Sequence, residues 1–124
     1  MILGILIATV ITFIFSAVLY ALPPVARLMQ RASTPRPDLP LPVMMASVVL
    51  RSLVAACLVA GLMAAAGWHG AGSGALLGLA LGVLPVTILS GAVVHESTPI
   101  PLAAVHSIDW IAKLVIIGAV VGLA

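Results

Sequence analysis

The sequence predicts an all-α integral membrane protein, an antiparallel bundle of four transmembrane helices, and three observations predict it. Hydrophobic residues make up 64% of the 124 and charged residues only 6%, where a soluble surface calls for roughly 25% charged residues. Mean hydropathy is +1.38. The apolar residues fall into four runs of about 20 residues, the length that crosses hydrocarbon, and the breaks between them carry Pro, Gly or His. A single membrane domain covering 1–124 accounts for the length, and no extramembrane domain fits. The net charge of +2 rests on few residues, so it argues topology rather than nucleic-acid binding.

The first span runs from about Ile2 to Leu22 and ends at Pro23-Pro24. No Lys or Arg precedes it, and it exceeds the roughly 7–15 residues of a secretory core, so it reads as a retained helix. The segment 25–42 holds Arg27, Arg31, Arg36 and Asp38 among Pro35, Pro37, Pro40 and Pro42. Proline at that density reads as a polar linker, with one short amphipathic turn at its start. A second span covers about 43–68, interrupted by Arg51, and His69 to Ser73 is a glycine-rich turn. The third runs over about 74–94 with Pro85 near its middle, where the ring removes one hydrogen bond and displaces the Leu81 carbonyl. Thr87 and Ser90 stand ready to re-satisfy freed backbone groups. His95 to Pro101 is the last connection, and about 102–123 makes the fourth span. Short connections force antiparallel neighbours.

Orientation follows from arginine. Arg27, Arg31 and Arg36 fall in the linker and no other connection holds Lys or Arg, which places 25–42 in the cytoplasm and both termini outside. The expected location is the plasma (inner) membrane.

Arg51, Asp109 and Lys113 lie inside these spans, and a charge in hydrocarbon costs a few kcal/mol or more unless it faces a partner or a wet cavity. Arg51 sits roughly 12 Å and Asp109 roughly 10 Å from the linker side, by the helical rise. Lys113 follows Asp109 by one turn on the same face, and His106 precedes it on that face. With Glu96 and His95 at the end of the third span, the polar groups converge on one half of the bundle. Two readings follow. In one, Asp109 neutralises Arg51 or Lys113 and fixes how helices pack; in the other, His106, Asp109 and Lys113 line a wet path for a proton, an ion or an anionic headgroup. The kink at Pro85 reads as packing before it reads as a gate.

Gly74, Gly78 and Gly82 form a ridge on the third span, and Gly118 with Gly122 another on the fourth. Small residues at this spacing let backbones approach closely, inside the bundle or against a partner. The lone Cys57 sits in an apolar run and reads as a small packed hydrophobe.

No catalytic motif is present: no paired-histidine metal spacing, no nucleophile elbow, no phosphate loop. No enzyme activity, metal or other cofactor is expected. Small multidrug exporters need a carboxylate in the first helix, which this chain lacks.

The exit of the first span, Ala17-Val18-Leu19-Tyr20 leading to Arg27-Leu28-Met29, is similar to that of small four-helix bacterial membrane proteins of the domain-of-unknown-function family 1761. So are the ridge Gly74-Ala75-Leu76-Leu77-Gly78 and the close from Ile108-Asp109 through Lys113-Leu114-Val115 to Gly118 and Gly122. Family members carry tryptophans near the first exit, where this chain has Leu19 and Leu28-Met29. The resemblance implies a fold and a location, and no activity.

The functional expectation is an accessory subunit that packs against and stabilises a larger integral-membrane assembly for lipid or solute transport, in contact with lipids. The alternative is a small proton- or ion-coupled transporter or channel past His106, Asp109 and Lys113, working as a homo-oligomer.

Overall fold

Ile2–Ala21 contains no charge and no proline, so nothing interrupts a helix, and α1 occupies all of it. The computed structural model describes residues 1–33 and 38–124. Pro23 and Pro24 end α1 and also begin a second helix, α2 (Pro23–Ala32). A proline in the first turn gives up an N–H that has no intrahelical partner anyway. The first part of the linker is therefore ten helical residues rather than a single turn. Val25, Leu28, Met29 and Ala32 are half-buried while Arg27, Gln30 and Arg31 are exposed. This stripe rests on α1 and α6. Pro35, Arg36 and Pro37, counted above in the linker, lie outside the described residues.

Pro42 works in the same way at the start of α3 (Leu41–Ala66), which ends on Gly67 in the left-handed region (φ 69°). The third span is two helices, α4 (Ala71–Leu81) and α5 (Val83–Glu96), broken at Gly82. Pro85 cannot donate to the Leu81 carbonyl and its ring crowds it, and α4 stops at Leu81. Thr87 Oγ1 donates to the Val83 carbonyl and Ser90 Oγ to the Thr87 carbonyl, both 2.8 Å, so neither hydroxyl serves the Leu81 carbonyl. After a turn at Ser97 (φ 55°), α6 (Ile100–Leu123) closes the chain, with Pro101 in its first turn.

Four segments are long and apolar enough to cross a membrane: Ile2–Ala21, Leu41–Ala66, Ala71–Glu96 and Ile100–Leu123. The protein is a multi-pass, all-helical membrane bundle. Its hub is α6, which touches every other helix. Ala8, Ala56, Val59, Ala60, Met63, Leu114, Ile117 and Val121 pack together as the core. Cys57 is exposed on α3 rather than packed inside, because the buried face of that helix passes through Ala56, Val59 and Ala60.

The closest approach joins α4 to α6. A Cβ at Gly74 would overlap the Gly118 carbonyl, and one at Gly118 would overlap the Gly74 carbonyl. A Cβ at Gly78 would meet the Leu114 carbonyl, and one at Gly122 the Gly70 carbonyl. Gly70, held at φ 97°, donates its N–H to the Gly122 carbonyl at 2.9 Å. Gly82 lies on the same line, its Cβ position 3.0 Å from Ile111 Cγ1. The two glycine ridges therefore face each other, and neither is left over for a docking partner. Membrane helices gain little from burying apolar surface against one another, so such backbone contact supplies much of the packing attraction.

Candidate functional site

Because α6 is surrounded by other helices, it can carry charge within a membrane span. Asp109 and Lys113 are 4% and 3% exposed. Their i, i+4 spacing places Lys113 Nζ 3.3 Å from Asp109 Oδ2. Lys113 Nζ also lies 5.1 Å from the centroid of the Trp110 ring, within cation–π range. Across the interface, Ser16 Oγ donates to Asp109 Oδ1 at 2.6 Å. One turn along, the Tyr20 hydroxyl and His106 Nδ1 share a hydrogen bond of 2.7 Å. The antiparallel register of α1 and α6 sets both contacts.

Arg51 lines a cavity with these groups, and among the described residues it forms no ion pair with Asp109. It is exposed, and its Nε donates to the Ser47 carbonyl at 3.4 Å on its own helix. Lys113 is thus the neutralising partner of Asp109. Glu96 stands apart, exposed at the end of α5, and lines no part of the cluster. A shared depth does not bring it to the charges: among the described residues α5 packs on α4 and α6 and not on α1 or α3.

The cavity has a volume of about 310 Å³. Ser16, Tyr20, Arg51, His106, Asp109 and Lys113 form its polar wall, and Met29 of α2 also lines it. Beyond Lys113, the polar line continues along α1 to Thr12 and Thr9, whose hydroxyls are held by the Ala8 and Ile5 carbonyls at 2.8 Å. Ala8, Ile117 and Val121 belong to the apolar core.

Ser52, on the turn of α3 that carries Arg51, is 1% exposed, and its Oγ has no hydrogen-bond partner among the described residues. Such an orphan costs about 1–3 kcal/mol. Among the described residues, no group of three or more His, Cys, Asp or Glu side chains is placed to hold a metal ion.

Sequence reasoning missed Ser16, Tyr20 and Trp110 as members of the site. The signal for the first two was there: Thr9, Thr12, Ser16 and Tyr20 recur every three to four residues on one face of α1.

The family profile described as "Protein of unknown function (DUF1761)" matches residues 3–122. The chain belongs to the DUF1761 family. The match includes every residue of the polar site and both glycine ridges. No curated protein and no solved structure matches the chain.

Proposed function

We propose that this protein is a small membrane carrier that moves protons or a small ion past His106, Asp109 and Lys113. The observation that supports this reading is the cavity of about 310 Å³ in which a buried carboxylate, a buried ammonium, an imidazole and a phenol stand side by side. Ionisable residues within membrane helices mark ion pathways and proton relays.

The test is flux. Purified protein in liposomes with an entrapped pH dye is expected to dissipate a pH gradient several-fold faster than empty liposomes, with valinomycin clamping the voltage. Equal rates would remove the proton carrier.

A second reading has its own support: α5 buries no residue, as a helix would whose other side meets another protein. On that reading the chain is an accessory subunit of a larger membrane assembly. It expects no flux, and a stoichiometric larger protein retained through gentle purification.

Orientation belongs to this proposal too. We place the protein in a bacterial plasma membrane, with the linker in the cytoplasm and both termini outside. In a Cys57→Ser background, a cysteine replacing Ser33 should be shielded from impermeant thiol reagents in intact cells, and one replacing Ser73 should label. Reversed labelling would invert the orientation.

A further inference from the structure

The break at Gly82 and Pro85 leaves α5 leaning on α6 and away from α3. Among the described residues, α3 and α5 make no contact. Between them lies a groove of about 740 Å³, floored by α6. That volume falls within the roughly 300–1,000 Å³ of small-molecule sites. The groove has two chemically different ends. Arg51 and His106 stand at one; Val54, Leu58, Leu84 and Ile88 continue as an apolar wall.

The direction of that polarity is set by topology. Helices α3 and α6 both run away from the linker side, so Arg51 and His106 come before Leu58 and Leu114 along them. The cationic end therefore lies nearer the linker-side leaflet and the apolar wall extends toward the membrane centre. From Arg51 to Leu58 the helical rise gives a wall about 10 Å long.

The charge at the polar end is unanswered. The chain has three acidic residues. Asp109 pairs with Lys113, and among the described residues the bond that Arg51 makes is to the Ser47 carbonyl on its own helix. An arginine within a membrane helix needs a counter-charge. A guanidinium answers best to a planar or tetrahedral oxyanion, which it grips through two N–H groups.

We infer that the groove between α3 and α5 binds one anionic phospholipid from the linker-side leaflet, its phosphate on Arg51 and an acyl chain along Val54, Leu58, Leu84 and Ile88. The cation at the shallow end and the apolar wall beneath it match the order of headgroup and tail in that leaflet. Trp110 lines both the groove and the polar cavity, so the bound chain lies against a fluorescent reporter. The site goes beyond the carrier reading and stands whether or not proton flux is found.

The protein has two tryptophans, and Trp68→Phe, at the turn after α3, leaves Trp110 alone. This variant is reconstituted in phosphatidylcholine vesicles with a small fraction of lipid brominated on its acyl chains. Brominated phosphatidylglycerol is expected to quench Trp110 several-fold more strongly than the same fraction of brominated phosphatidylcholine. Adding Arg51→Gln should bring the two to equality, and inorganic phosphate in excess should relieve none of the quenching. Equal quenching by the two lipids in the Arg51-containing protein overturns the proposal, and that comparison decides the matter alone if Arg51→Gln fails to fold. Selectivity that survives in a folded Arg51→Gln protein overturns the role of Arg51. Relief by inorganic phosphate would show a simple anion site and overturn the lipid.

Discussion

Asp109→Asn is expected to lower the stability of the protein in detergent by about 3–5 kcal/mol, because removing one member of a buried pair leaves the other charge stranded. Lys113 is the charge left behind: it is 3% exposed, and Asp109 is its ion-pair partner at 3.3 Å. The substitution also disturbs the Ser16 contact, though an amide oxygen can still accept that hydrogen bond. Adding Lys113→Met removes the stranded ammonium with a side chain of similar length, and most of the loss should be recovered. Adding Arg51→Met should recover nothing, since Arg51 is exposed and bonded to its own helix. Melting curves of the single and double variants read this directly. Recovery through Arg51 and not Lys113 would show that the pairing is wrong.

The second large effect lies at the glycine interface. At Gly74 and Gly78 even a methyl group would run into a backbone carbonyl of α6, at Gly118 and Leu114 respectively. A backbone cannot rotate aside as a side chain can, so α4 must move as a unit. Gly78→Ala should cost at least the about 1–3 kcal/mol of an overpacked core, and Gly78→Leu more. Gly61 and Gly91 supply the control, because nothing lies within 4 Å of a Cβ at either. Alanine there should be neutral, or stabilising by up to about 1 kcal/mol from helix propensity. A Gly78→Ala protein that melts with the wild type would mean that α4 and α6 do not meet along this line.

The four spans were legible in the sequence because each is a long apolar run, and hydropathy needs no knowledge of partners. Helix α2 was not, because Pro23-Pro24 reads as a stop signal although the same residues suit the first turn of a new helix. The Asp109–Lys113 pair was legible because both members sit on one helix, where spacing alone sets distance. Arg51 as a rival partner could be set aside only once its bond was known: depth along α3 was right, but its Nε donates to the Ser47 carbonyl on its own helix. The glycine ridges could be read as surfaces for close approach, yet nothing in their spacing tells which ridge meets which. Ser16 and Tyr20 were hidden for a different reason. A hydroxyl in a membrane helix is ordinary, and only the unbroken stripe from Thr9 to Tyr20 distinguishes these from isolated ones.

On the carrier reading the buried charges carry transport, and loss of stability confounds any single substitution there. The Asp109→Asn/Lys113→Met protein separates the two, since it is expected to fold while holding no charge in the cavity floor. Its rate of pH-gradient dissipation in liposomes is the direct measurement. The carrier reading predicts a folded protein whose rate falls to that of empty liposomes. A folded double variant that dissipates the gradient as fast as the wild type would contradict it.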